Sequence, residues 1–354
     1  MLRRAFITRV ALFTFSLAAA KGLASCTANS GTSNEPTAAN SPSNVTATNA
    51  SASDPQELTF GIISTESQTN QKPIWEPFIA AMSKELGMPV KAFYVTQYSG
   101  VIEGMRFKKV DIAWLGGKSY IQAAENAGAE AFVSTVSDKG ERGYYSYLIT
   151  NKNNPIAKDA KAMGGDKYVI QNAKNLTFAF NDPESTSGYL VPSYYVFAQN
   201  GVNPKDAFKR LTFAGSHEAT ALAAANNKID VATNNNESLS RLEKTNPQAR
   251  QNIEIIWTSP EIPSDPIAYR KDLSEGLKEK IRNFFYNYKD PAVLGPLEWS
   301  HFEEADDSRW NTIRELEYGK QILEIQANEG INQAEKEQKV AELKKQIEAL
   351  KAAK

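Results

Sequence analysis

Between residues 57 and 286, short apolar runs rich in β-formers alternate with stretches of helical length, and this alternation limits the fold more than any other feature. Residues 57–64 (ELTFGIIS), 90–96, 111–115 (DIAWL), 131–136 and 144–150 have strand composition. Residues 72–86, 100–109 and 119–126 read as helices between them. The first has Pro73 near its start and Gly87 just past its end, the usual punctuation of a helix. Strands alternating with helices predict parallel, doubly wound sheets. The rhythm breaks at residues 151–175, where Asn, Lys and Gly point to a crossover or an insertion. It resumes with strands at 176–180, 211–213, 229–232 and 253–257 and helices at 189–199, 218–226 and 237–244. Ile267-Ala268-Tyr269-Arg270 is expected to cross back to the first series, with a helix at 273–286 lying on it. The predicted architecture is α/β, with two doubly wound lobes: residues 57–150 with 266–308, and residues 151–265. A cleft would lie at the carboxyl ends of their strands, where ligands of open α/β sheets bind.

Residues 309–354 are strongly helical in composition and predict one long C-terminal helix. Val340, Leu343, Ile347 and Leu350 recur at three- and four-residue steps behind Lys336, a seam that serves either packing on its own lobe or a homodimer contact.

The first 56 residues read as address and tether. Arg3, Arg4 and Arg9 precede an apolar run at 10–20 that is too short to span a bilayer, the form of an export signal. Arg3-Arg4-Ala5-Phe6-Ile7 is a partial twin-arginine pattern. Leu23-Ala24-Ser25-Cys26 matches the bacterial lipoprotein box, which implies cleavage after residue 25 and lipid on the Cys26 sulfur. Residues 27–55 are nearly all Ser, Thr, Asn, Ala and Pro and cannot bury a core, so 26–56 is expected to be a disordered tether. The chain would then sit on the periplasmic side of the bacterial membrane, or on the outer face of the cell membrane. Loss of the signal with Arg3, Arg4, Arg9 and Lys21 takes the formal net charge from −1 to about −5, which gives nucleic-acid binding no support. Cys26 is the only cysteine, and His217 and His301 are the only histidines. Disulfides, thiol chemistry and Cys or multi-His metal sites are thereby excluded, and no cofactor is expected.

The candidate site centres on Asp182-Pro183-Glu184-Ser185-Thr186-Ser187-Gly188-Tyr189, placed where the strand at 176–180 turns into a helix. A helix start has unsatisfied N–H groups and positive dipole, so Ser185, Thr186 and Ser187 there suit a small anion. His217, in a second strand-to-helix turn, could hydrogen-bond an anionic oxygen as an imidazolium once an anion offsets the dipole. Glu237 and Asp265 lie where strands should end, and each could pair with a cationic ligand group or accept from a protonated oxyanion. Tyr98 and Tyr144 occupy loops of the first lobe and can offer a phenol to an oxyanion. Trp114 is expected in the core. Gly116-Gly117-Lys118-Ser119 imitates the end of a phosphate-binding P-loop, but the first glycine of that motif would fall on Ile112, so a nucleotide site is rejected. Ser187, His217 and Asp265 contain the ingredients of a hydrolase triad, yet Ser185 stands where the first glycine of the G-x-S-x-G elbow belongs.

Residues 58–299 resemble the phosphonate-binding proteins of bacterial ABC importers, a branch of the type II periplasmic binding fold. The resemblance is carried by 98–104 (YSGVIEG), 111–116 (DIAWLG), 182–188 (DPESTSG) and Gly215-Ser216-His217. It implies that Ser185, Thr186 and Ser187 grip the phosphonyl oxygens, that His217, Tyr98 and Tyr144 assist, that Glu237 faces an aminoalkyl end, and that Asp265 lies beside the oxyanion. It further implies a binding protein, not an enzyme, that delivers phosphonate or phosphite to a membrane permease. Dimerisation through the C-terminal helix is also a family trait. The competing expectations are another oxyanion, such as phosphate or sulfate, in the same fold, and a hydrolase built on Ser187, His217 and Asp265.

Overall fold

The computed structural model describes residues 54–352, which belong to one compact unit, Ala50–Lys354. The export signal, Cys26 and the tether as far as residue 53 lie outside the described residues.

In chain order the strands are β1 (Leu58–Ile62), β2 (Val90–Tyr94), β3 (Ile112–Trp114), β4 (Ala129–Ser137), β5 (Gly143–Tyr144), β6 (Ser146–Asn151), β7 (Thr177–Phe180), β8 (Arg210–Phe213), β9 (Val231–Asn235), β10 (Ile253–Thr258), β11 (Ile262–Pro263), β12 (Pro266–Arg270) and β13 (Trp299–Glu304). They form a six-stranded sheet in the order β13-β4-β12-β3-β1-β2 and a five-stranded sheet in the order β10-β6-β9-β7-β8. β1, β3 and β7 are covered on both faces, which is why they read as continuous apolar runs instead of alternating ones. Two lobes therefore stand as expected, but neither sheet is purely parallel. β1 pairs parallel with β2 and β3, and β7 with β8 and β9, whereas β12, β13, β6 and β10 join antiparallel. The reason lies in the crossovers. β12 arrives from the other lobe and inserts between β3 and β4 against their direction.

The two crossings are β5 and β11, which pair antiparallel with Tyr144 opposite Ile262 and Gly143 opposite Pro263. The first lobe thus ends near Tyr144, several residues before the expected boundary at 150. Residues 146–150, expected in the first lobe, pair with β9 and β10 in the second sheet. The irregular stretch at 151–175 is not structureless; helices Ala157–Met163 and Gly165–Asn172 pack it back toward β10.

The C-terminal region is also not one helix. Helix Asn311–Ala327 ends where the Asn328 side chain accepts the Gly330 N–H at 2.9 Å, and Asn332 then starts helix Gln333–Ala352 by accepting the Glu335 N–H at 2.9 Å. The second helix folds back on the first with Val340 buried. The first touches both lobes. Ile313 lies against Gly117, and Gly319 lies so close to Tyr194 that an added Cβ would come within 2.8 Å of the ring.

The first-lobe core includes Trp75, Trp114 and Trp299, whose ring centroids lie 5.2–6.1 Å apart. Such aromatic packing is worth more than the buried area alone. It holds the ends of β3 and β13 in fixed relation to helix Gln68–Leu86. This matters because the same three indoles form part of a cavity wall between the lobes.

Candidate functional site

β7 ends at Phe180, and the chain turns through residues 181–185 into a helical segment, 186–200, wound largely as wide π turns. Ser185 caps it, its Oγ accepting the Gly188 N–H at 3.0 Å. Gly188 is required there, since a Cβ would meet the Asn181 Cβ at 2.4 Å. The helix runs to the left-handed Gly201, and Asn200-Gly201 serves as its stop. Ser185, Thr186 and Ser187 are each no more than 2% exposed. The Thr186 Oγ1 reaches the other lobe and accepts the Lys118 N–H at 2.9 Å. Gly116, beside that contact, has no room for a side chain, because a Cβ would stand 3.1 Å from Thr186 Oγ1.

Four other helix starts bring residues to the same place: Tyr98 before helix Ser99–Arg106, Gly116 before Gly117–Ala127, Ser216 before His217–Ala225 and Asn235 before Asn236–Thr245. The result is a buried region rich in donors and in positive helix ends. The Tyr144 phenol faces Thr186 and Asp265, and Asn181 is the polar side chain beside the Tyr98 hydroxyl. Burial raises both phenols well above their ordinary range, with the charge of Asp182 adding at Tyr98 and that of Asp265 at Tyr144, so both are held as neutral donors.

His217 is buried at 2% exposure, and its Nε2 lies 3.5 Å from Ser187 Oγ and 3.3 Å from Asn235 Nδ2. Burial, reinforced by the Arg241 charge, lowers its pKa to about 3. With no anion bound the ring is therefore a neutral imidazole, since a turn that excludes water cannot solvate the charge; the imidazolium expected from sequence is conditional on a bound anion. Its Nδ1 has no protein partner, so Asp265 does not orient the ring as a triad acid would.

Glu237 and Asp265 line a small cavity of about 20 Å³ together with Glu66, Arg241, Trp75, Trp114 and Trp299. That volume suits a group the size of water or ammonium. Burial lifts the Glu237 carboxyl to about 7, with Arg241 opposing, and it lifts Asp265 well above the carboxylate range, with the Glu237 charge adding. The Glu237 charge disfavours that of Asp265, and Arg241, which lines the same cavity, offsets the burial of both only in part, so the pair can accept a further cation. The Asp265 Oδ1, the Trp114 Nε1, the His217 Nδ1 and the Asn181 amide are all buried without a protein partner. Trp114 thus serves both core and cavity.

The lobes are joined over this region. Tyr98 N–H donates to Asp182 at 3.2 Å, and Lys118 Nζ pairs with Glu184 at 2.8 Å. At the other edge Arg241 pairs with Glu66 at 2.7 Å and lies 3.7 Å from Glu298, while Glu218 accepts from Ser67 N–H and Asn70 Nδ2 at the start of helix Gln68–Leu86. All eight residues proposed from sequence, Tyr98, Tyr144, Ser185, Thr186, Ser187, His217, Glu237 and Asp265, line this one interlobe region. Sequence reasoning missed Asn181, Asn235, Arg241 and the walls from Trp75 and Trp299. Of these, only Asn235 had a usable signal, as the cap of a predictable helix.

Two α/β lobes joined by paired crossover strands, closed over buried neutral donors, define a solute-binding protein of the type II periplasmic fold. Residues 60–310 match the family described as "ABC transporter, phosphonate, periplasmic substrate-binding protein". The chain is 46% identical over 297 residues to the phosphonates-binding periplasmic protein of Escherichia coli K12, covering 83% of this chain and 85% of that one. It resembles the crystal structure of a binding protein component of an ABC phosphonate transporter from Pseudomonas aeruginosa, with TM-score 0.79, 45% identity and coverage of 85% and 98%. It also resembles PhnD1 of Prochlorococcus marinus in complex with methylphosphonate, with TM-score 0.64, 27% identity and coverage of 74% and 97%. The chain belongs to the phosphonate-binding periplasmic substrate-binding proteins of ABC transporters, which bind solutes for import and are not enzymes. No helix among the described residues is long and apolar enough to cross a membrane.

Proposed function

We propose that this protein captures a phosphonate with a short cationic tail, of the 2-aminoethylphosphonate type, and presents it to its permease in the closed form. The observation that carries this reading is the ammonium-sized cavity lined by Glu237 and Asp265, two acids raised by burial that Arg241 compensates only in part. The anion end falls to Ser185, Thr186, Ser187, His217, Tyr98 and Tyr144, all neutral donors. Asp265, next to Tyr144 and Trp114, can accept from the ammonium or from a protonated phosphonyl oxygen. Phosphate or sulfate brings no cation to Glu237 and Asp265, which would then rest on Arg241 and on retained protons alone, so such ligands forgo the contact that an ammonium makes there. Methylphosphonate and phosphite are the second reading, in which the two carboxyls keep a proton in place of an ammonium.

Export and lipid attachment at Cys26, with residues 27–55 as a tether to the membrane surface, complete the proposal; the Leu23-Ala24-Ser25-Cys26 box supports them. The proposal includes a homodimer contact through helix Gln333–Ala352, as the heptad-like seam at Val340, Leu343, Ile347 and Leu350 suggests.

The test is thermal shift of the purified protein with 2-aminoethylphosphonate, methylphosphonate, phosphite, phosphate and sulfate. A ligand at a hundred times its dissociation constant adds about 2.7 kcal/mol of stability. The largest shift is expected with 2-aminoethylphosphonate. A shift with phosphate or sulfate alone would overturn the assignment.

A further inference from the structure

We infer that Asn235 is a positioning residue that fixes His217 in the Nδ1–H tautomer, so that the ring offers the bound anion one neutral donor. The inference rests on the reading of His217 as a phosphonate contact, but its geometric basis stands apart from the ligand.

The chain of constraint starts in the backbone. Asn235 caps helix Asn236–Thr245, and its side-chain oxygen accepts the Ser238 N–H at 2.7 Å. A backbone N–H can only donate, so the amide orientation is decided: oxygen faces Ser238 and the NH₂ group faces the other way. That NH₂ lies 3.0 Å from Ser187 Oγ and 3.3 Å from His217 Nε2. Its two hydrogens are thereby directed at one hydroxyl oxygen and one ring nitrogen, and a ring nitrogen that receives a hydrogen must present its lone pair. Nε2 is bare. A neutral imidazole carries its single proton on the other nitrogen, and Nδ1 is buried with no protein partner.

The opposite tautomer would set Nε2–H against the NH₂ donor inside the protein, a fault the Nδ1–H form avoids, whereas Nδ1 lacks a protein partner in either form. The second-layer contacts hold the ring still. Asn234 Nδ2 donates to the His217 carbonyl at 2.8 Å and to Thr220 Oγ1 at 2.9 Å. The Ser187 hydroxyl, having accepted from Asn235, has its own proton to donate, with the bare Nε2 at a long 3.5 Å and a bound oxyanion as the better acceptor. One amide therefore prepares two donors, on Ser187 and on His217, for an oxyanion.

The experiment is long-range ¹H–¹⁵N correlation spectroscopy of the imidazole rings, which separates the two tautomers and the imidazolium by the pattern of the ring nitrogens. With only His217 and His301 in the chain, the spectrum is readily assigned. The wild-type protein without ligand is expected to show His217 with protonated Nδ1 and bare Nε2. An Nε2–H pattern, or a protonated ring near neutral pH, would overturn the inference. Asn235→Asp keeps the helix cap but replaces the NH₂ donor with an acceptor, and is expected to move the proton to Nε2 or to protonate the ring. Asn235→Ser keeps a cap oxygen with no donor to Nε2 and is expected to populate both tautomers. Retention of the wild-type pattern in both variants would show that Asn235 does not set it. Affinity for methylphosphonate is expected to fall about tenfold or more in Asn235→Asp, the loss of a charge-assisted donor with an added like charge. If wild-type protein binds none of the phosphonates yet shows the Nδ1–H pattern, the ligand assignment fails and the tautomer assignment survives.

Discussion

Replacing Glu237 by Gln removes a charge and almost no volume, and the structure gives its consequences opposite signs in the free and bound protein. In the free protein the carboxyl titrates near 7 against an ordinary value of 4.5, because burial opposes its charge. A carboxyl raised in this way is protonated in the fold where the unfolded chain is ionised. Its contribution to stability is intact below about 4.5 and is lost as pH rises to about 7. The full penalty above that window is about 3 kcal/mol, at 1.4 kcal/mol for each pH unit between the two values. Gln carries no such penalty, so ligand-free Glu237→Gln should be more stable than wild type at pH 8 and equal to it near pH 4. In the bound protein the sign reverses. A hydrogen bond to a charged group is worth about 1.5–3 kcal/mol, so 2-aminoethylphosphonate should bind about 10- to 150-fold more weakly to the variant. Methylphosphonate, with no ammonium, should be unaffected or bind slightly better. Denaturant melts at the two pH values and calorimetric titrations with the two ligands give all four numbers. An unchanged ratio of the two affinities, or a variant less stable than wild type at pH 8, would refute the reasoning.

Two further outcomes test the closure and the anion end. Arg241→Ala takes from Glu66 its arginine partner between the lobes and leaves Glu298 with Lys244 and Ser240, and breaking such a partly buried pair is costly. It should weaken methylphosphonate by a factor of about ten or more, at 1.4 kcal/mol per decade, and 2-aminoethylphosphonate by less, because loss of the cation beside Glu237 and Asp265 makes the cavity more attractive to an ammonium. Unchanged affinity for both ligands would remove Arg241 from the closure. Thr186→Ala deprives the Lys118 N–H of its acceptor and the ligand of a donor, and should cost every phosphonate about 10- to 100-fold in titration calorimetry, with Thr186→Ser recovering most of it. Equal affinities in Thr186→Ala and wild type would remove Thr186 from the site.

The fold was readable where local chemistry and tertiary environment agree. Asp182-Pro183-Glu184-Ser185-Thr186-Ser187-Gly188 marks a strand-to-helix turn because a buried apolar run ends there and a hydroxyl cap begins, and both facts are local. The lobe boundary was not local. Tyr144-Tyr145-Ser146 reads as one strand, yet Tyr144 pairs with Ile262 in the crossover while Ser146 pairs with Asn235 in the second sheet, partners about a hundred residues away. The strand directions follow from the same nonlocal event. The C-terminal break was legible in principle, since Asn328-Glu329-Gly330 is turn chemistry, but the helical composition on either side outweighed it.

At the site, residue types were visible and charge states were not. His217 was identified from its turn, but its neutrality follows from burial beside Arg241, which sequence does not place. Glu237 and Asp265 were picked as separate acids; that they share one cavity, where the Glu237 charge raises Asp265, depends on the lobes meeting. Trp75 and Trp299 carried only a core signal because a cavity wall and a core wall use the same residues.

The most direct measurement is a crystal structure of the protein with 2-aminoethylphosphonate. The account predicts phosphonyl oxygens on Ser185, Thr186, Ser187 and the His217 Nδ1, with the ammonium between Glu237 and Asp265 against the Trp114 ring. A ligand bound in the reverse sense, or one held away from Glu237 with that carboxyl still paired only within the protein, would contradict it.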